Sequence, residues 1–220
     1  MASPVKLYQQ EMHKNVGFFA TWLPSSTIEL GDFGLFEGGR FRRIGSLREL
    51  GIPPLAVREG TPENMSYSAS ADRKGGVSAE AASTVPVVQG ELSIRFTKQG
   101  GYVFEAASIR NIEIADRLEL SECLLDMYKR DRWRKEWFLI DAMYVASSAT
   151  IIVSEDSTSE IVLKASTNVP LGPLPLTDPK LGLSVASSTG KIVQVISQNN
   201  LKPLYSCLRE IGRASCRERV

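Results

Sequence analysis

The side chains of this chain with the clearest chemical potential are cations gathered at one corner. Between Lys129 and Lys135 the sequence places five cations and one acid around Trp133, with Trp137 just beyond. Cations gain energy near a negatively charged surface, and tryptophan prefers a membrane–water interface. Lys129, Arg130, Arg132, Trp133, Arg134, Lys135 and Trp137 are therefore read as candidate contacts to anionic lipid headgroups. A solvated turn has the same composition, and single-stranded nucleic acid would use the same residue types. Arg40, Arg42 and Arg43 around Phe41 form a weaker second cluster.

Other chemistry is poorly supported. His13 is the only histidine, and a general acid or base needs a positioned partner that nothing in the sequence marks. No Cys/His group has zinc-ligand spacing, so no metal is expected. Gly31-Asp32-Phe33-Gly34 and Glu37-Gly38-Gly39 are glycine-rich but lack the Lys-Ser/Thr of a phosphate loop and the spacing of a dinucleotide site. They read as turns. Asp141 sits inside an apolar strand. A buried acid is paired or shifted, so Asp141 marks a salt bridge, a strand end or bulge, or a functional acid. The expectation is a protein without catalytic residues or cofactor. An enzyme would need a site of Asp, Glu and Ser residues without signature, around Asp141.

The chain has 220 residues, of which 43% are hydrophobic, an ordinary globular composition. It holds no apolar run of the ~20 residues that a spanning helix needs and no apparent secretion signal. Three widely spaced cysteines suit a reducing, cytoplasmic setting. Residues 210–220 read as a non-native tail: Ile211 to Val220 resembles a translated sequencing-library adapter. Without those ten residues, which hold three arginines and one glutamate, the net charge moves from +1 to −1. That balance gives no push towards nucleic acid.

The corner must be positioned by the elements beside it. Ala115 to Tyr128 reads as an amphipathic helix capped by Asp116, with Ile114, Leu118, Leu125 and Tyr128 at three-to-four spacing and Leu120, Leu124 and Met127 widening the stripe. Trp137 to Ala146, continued by Thr150 to Val153, reads as the longest apolar strand, covered on both faces. Lys6 to Val16 is a short helix with Leu7, Met12 and Val16 on one side, stopped by Gly17. Phe18 to Leu23 and Ile28 to Phe36 are extended, Glu37 to Arg40 is a tight turn, and Ser46 caps a short helix through Leu50. Pro53 to Gly76, with three prolines, reads as a loop or weakly ordered edge. Glu91 to Phe96 and Tyr102 to Ala106 are expected to form a hairpin with a wet face. Leu181 to Val185 and Lys191 to Ile196 are expected to form a second. Glu160 to Ala165 is a strand, Asn168 to Lys180 a loop, and Asn199-Asn200 a turn before a last short element, Leu201 to Leu208. The fold class is α+β: a single domain, residues 1–209, built on a twisted, mostly antiparallel sheet with a few short packing helices.

This order of elements resembles the pore-forming N-terminal domain of gasdermins, especially the compact bacterial ones. The likeness lies in a short helix leading into Gly17-Phe18-Phe19-Ala20-Thr21-Trp22-Leu23-Pro24, then Leu30-Gly31-Asp32, Ile44-Gly45-Ser46-Leu47, a hairpin, a helix, the long strand and a final hairpin. The resemblance implies a cytoplasmic effector that moves to the inner face of the membrane, binds anionic lipid and assembles into a homo-oligomeric ring. It also implies an inhibitory tail removed by a protease. Two amphipathic regions, Val77 to Ala106 and Thr150 to Val185, would become the membrane hairpins. Val85, Val87, Leu92, Ile94, Phe96, Val103, Ile151, Val153, Ile161 and Leu163 would supply the lipid face. The lipidated N-terminal cysteine frequent in bacterial members has no counterpart before Cys123. The alternative is a soluble, non-enzymatic binding or scaffold domain, in which the same strands form an ordinary half-buried sheet.

Overall fold

A computed structural model describes residues 4–21, 27–38, 40–69, 71–79, 88–166, 176–178, 182–211 and 214–216. They form a sheet-dominated α+β fold with two helices and mostly antiparallel strand pairing among the described residues. The chain divides into two compact units: residues 1–11, 63–109 and 146–201 make one, and 12–62, 110–145 and 202–220 the other. Strands β8 (Tyr102–Ile114), β9 (Phe138–Ser154) and β12 (Ile192–Ile211) each run from one unit into the other.

In the first unit a four-stranded sheet has the order β11 (Ser184–Thr189), β10 (Glu160–Lys164), β7 (Val88–Phe96), β6 (Ala71–Ala79). Strict alternation in β7 sends Leu92, Ile94 and Phe96 to one face, where they join Ile161 and Leu163 of β10. Register places Ile94 opposite Ile161 and Leu92 opposite Leu163. Val103, Ile152 and Leu176 complete this core.

Both expected hairpins in this unit are corrected. β7 does not return on β8, because its two edges are taken by β6 and β10 while β8 pairs with β5 (Glu63–Ala69). The intervening turn bonds to β9 instead: Gly100 N–H donates to the Ser154 carbonyl, and Ser154 N–H to that of Gly101. β11 likewise pairs with β10, and β12 belongs to the other sheet. Pro53 to Gly76 is also corrected. It contains β4 (Val57–Glu59), β5 and β6. Their small and polar residues hid them, since β4 is exposed throughout and β5 is half exposed. Cross-strand pairing with β8 and β7 supplies what their own side chains lack.

The second unit is organised by β1 (Phe19–Ala20), β12, β9, β2 (Asp32–Glu37) and β3 (Arg40–Ser46), neighbours in that order. β2 and β3 do form the tight hairpin, with Glu37 opposite Arg40 and Gly38 at φ +59°. Their ladder shifts at Phe33/Gly34, and a Cβ on Gly34 would run into the Arg42 carbonyl. Ser46 caps a single turn and no helix. Its N–H donates to Glu49 Oε2 at 2.9 Å, Glu49 N–H returns to its hydroxyl at 3.3 Å, and Gly51 at φ +82° ends the turn.

Helix α1 (Pro4–Val16) ends at Gly17, φ +77°; Tyr8 and Met12, one turn apart, are its fully buried residues among those described. Helix α2 (Arg117–Lys129) starts at Asp116, whose carboxylate accepts from Leu118 and Glu119 N–H. Its buried face is Leu120 and Leu124, with Cys123 and Met127 packed beside them. Leu118 is 72% and Tyr128 41% exposed, so the expected stripe was centred wrongly. β9 is one strand of 17 residues that joins both expected stretches, and the hydroxyls of Ser147, Ser148 and Thr150 within it donate to the carbonyls of Ala107, Thr177 and Leu176. β12 is longer, with 20 residues, but carries Gln194, Asn199, Asn200, Lys202 and Arg209, so β9 is the longer apolar run. The expected turn there does not end β12; Asn199 and Asn200 adopt left-handed backbone, φ +69° and +49°, inside it. In the tail, Ala214–Cys216 pairs with Arg209–Ile211.

Candidate functional site

The cationic corner exists because α2 ends in a Schellman motif. Asp131, at φ +56°, takes the left-handed position; its N–H donates to Tyr128 O at 3.1 Å, and Arg132 N–H to Met127 O at 2.9 Å. That reversal drops Trp133 into the core, 2% exposed, beside Leu120, Leu124 and Leu139. Trp133 and Trp137 pack edge to face at 5.3 Å, and Trp137 stacks on Phe33 at 4.7 Å. Trp133 is thus an anchor, not a lipid contact, in this conformation. Trp137 is half-buried.

Lys129, Arg130, Arg132, Arg134 and Lys135 are all exposed. Lys129 meets Asp126 at 3.4 Å. Arg132 Nη2 donates to the Leu50 carbonyl at 3.0 Å. The Arg134 guanidinium lies 5.9 Å from the Trp137 ring centre, and Lys135 Nζ 5.3 Å from that of Tyr128. Arg209 enters from β12: its Nε donates to the Lys135 carbonyl at 3.1 Å and its guanidinium sits 5.5 Å over Phe138. Sequence reasoning missed Arg209, because 74 residues separate it from Lys135 and only the sheet joins them. Arg40, Arg42 and Arg43 lie apart on β3, where Arg42 pairs with Glu37 and Arg43 with Asp32 and Glu49.

The proposed lipid-face residues are placed differently. Leu92, Ile94, Phe96, Val103, Ile161 and Leu163 share one buried cluster. Ile151 and Val153 are also buried, but Ile152 is the β9 residue in that cluster. Successive side chains on a strand point to opposite faces, so Ile151 and Val153 do not join the common face; this corrects their grouping. Val85 and Val87 lie outside the described residues.

Asp141 is fully buried, and Arg117 Nη2 lies 3.1 Å from its Oδ2, so it takes the salt-bridge role. Burial, and secondarily the charge of Asp141, push the Cys207 thiol well up. A cleft of about 700 Å³ in the second unit is lined by Gly31, Asp32, Arg43, Glu49, Ile52 and Val57 among others. Three of its charges, Asp32, Arg43 and Glu49, satisfy one another. Buried Asp32 accepts from Glu29 N–H at 2.8 Å and pairs with Arg43 at 2.9 Å, and Arg43 also pairs with Glu49 at 2.9 Å. The Arg43 hydrogen bond, then the Ser46 N–H, holds the Glu49 carboxyl below its usual value.

Among the described residues no group of His, Cys, Asp and Glu is arranged to hold a metal ion. No described helix is long and apolar enough to cross a membrane, which says nothing about strands. No family model matches the chain, and no curated protein matches it.

Proposed function

We propose that the chain is a gasdermin-like effector that docks on anionic membranes through the cationic corner and forms pores through amphipathic β strands. The observation that carries this reading is the pairing of β7 with β10. Two regions distant in sequence lie side by side with a common apolar face. β7 has nine residues, at the lower end of the ~9–11 that a spanning strand needs, and β10, with five, has to lengthen to match it. The corner supports docking, because its cations are exposed while the apolar face is covered. Pore formation then requires the sheet to leave its own core and exchange protein contacts for lipid. On this reading the active form is a homo-oligomer on the inner face of the membrane. It forms from a cytoplasmic precursor when a protease removes an inhibitory tail. It catalyses no reaction, needs no cofactor and binds no nucleic acid.

Full burial of Ile94, Phe96 and Leu163 favours a second reading, a soluble protein-binding or scaffold domain. Liposome co-sedimentation separates the two. Replacing Arg130, Arg132 and Arg134 by glutamate is expected to abolish binding to acidic vesicles. Undiminished binding would remove the corner from the docking step, and absence of binding by the unaltered chain would favour the scaffold reading.

A further inference from the structure

We propose that Arg209 is a positioning residue for the cationic corner, and that the corner so braced binds one phosphate-bearing group as a discrete site. This rests on reading the corner as an anion-contacting surface. Its ground is the way the cations are held. Away from the corner, several cations meet carboxylates: Arg58 and Arg117 meet Glu113, Arg95 meets Glu160, Arg110 meets Glu59, and Lys202 meets Glu29. Of the five corner cations, among the described residues only Lys129 does so. Arg132 is held by a carbonyl, and Arg134 and Lys135 by ring faces. Carbonyls and rings fix a cation in place without cancelling its charge, which stays available to an external anion.

The geometry of the turn adds the second half. Trp137 N–H donates to the Arg134 carbonyl at 3.1 Å, so residues 134–137 close a turn on the anchored ring of Trp137. Arg209 grips that turn twice, through Nε at the Lys135 carbonyl and through its planar face over Phe138. Lysine has neither an Nε–H nor a planar face, so it preserves the charge but loses the grip. A tetrahedral phosphate presents oxygens in several directions and takes charge-assisted hydrogen bonds from several donors at once. Arg130, Arg134 and Lys135, exposed within one six-residue stretch, supply such donors. The acids nearby are Asp126, Asp131 and Glu136, all exposed.

The test uses charge-preserving variants of the full chain, R209K and R134K. The probes are inorganic phosphate and vesicles of phosphatidic acid or phosphatidylserine at matched surface charge. Chemical-shift titration and co-sedimentation report binding, with circular dichroism and Tm checking that each variant is folded. Saturable phosphate shifts at residues 134–137, preference for phosphatidic acid, and about tenfold weaker binding by both variants are expected. Equal binding by parent and variants on both vesicle types would overturn the discrete site while leaving membrane docking intact. Phosphate binding lost in the variants, with no vesicle binding by the parent, would uphold the site and make its source a soluble phosphate. If R209K unfolds, R134K tests the discrete site, and Phe138→Leu, which removes the ring beneath the Arg209 guanidinium and keeps every charge, tests the brace: undiminished phosphate binding by it would overturn the positioning role.

Discussion

The cationic corner and the four-stranded sheet solve opposite problems with the same materials. At the corner, aromatic rings face inward and charge faces water. Across β7 and β10, the apolar side chains face inward and only the wet face, Arg95 with Glu160, meets solvent. The corner is ready to meet a negatively charged surface as it stands. The sheet is not, because Val103, Ile152 and Leu176 already occupy its apolar face. Docking therefore costs little structure, whereas insertion must first undo the core of one unit. That difference orders the two events in the proposed function.

The comparison breaks most visibly at the anchors. Trp133→Ala is expected to cost about 3–5 kcal/mol in urea unfolding, as for any large buried ring. The triple glutamate variant at Arg130, Arg132 and Arg134 is expected to cost under about 1 kcal/mol, as for exposed charges. The reverse order would make the corner's cations structural. Arg117→Met removes one partner of buried Asp141 and is expected to cost about 1–3 kcal/mol; adding Asp141→Asn should recover part of it, and no recovery would show that Arg117 acts by packing alone. In the sheet, Ile94→Ala is expected to cost about 2–5 kcal/mol. A loss below about 1 kcal/mol would mean that the face is loosely packed and already close to release.

Two smaller effects concern protons. The raised thiol of Cys207 means that the folded state favours the neutral form. Its stabilising effect is full below the ordinary thiol pKa, about 8.5, and is lost as pH rises from there through the raised value. Cys207→Ser should flatten that alkaline decline in Tm, and Cys207 should resist thiol labelling until the chain unfolds. The lowered carboxyl of Glu49 acts at the other end. Its contribution is present above the ordinary glutamate pKa, about 4.3, and is lost as pH falls through the lowered value. Glu49→Gln should make the acid limb of the Tm profile shallower, by little, because the pair is exposed.

What the sequence revealed follows from range. Some local signals held: Asp116 as a cap, Gly17 as a stop, and Gly38 in a tight turn all act within a few residues of themselves. Alternation told correctly that Leu92, Ile94 and Phe96 share a face. It did not tell which strand comes next to them. Thr97 to Gly101 looks like a hairpin turn in composition, yet its hydrogen bonds go to β9. β4, β5 and β6 were invisible because partners, not their own side chains, make them strands. The corner was legible as charge, but Trp133 looks the same in sequence whether it faces lipid or core. Arg209 became visible only when β12 brought it to Lys135.

Dye release from liposomes with and without anionic lipid, measured on residues 1–209, tests the proposed function most directly. Release that requires acidic lipid and disappears with the triple glutamate variant is the expected result. A folded protein that neither binds nor permeabilises acidic vesicles would contradict it.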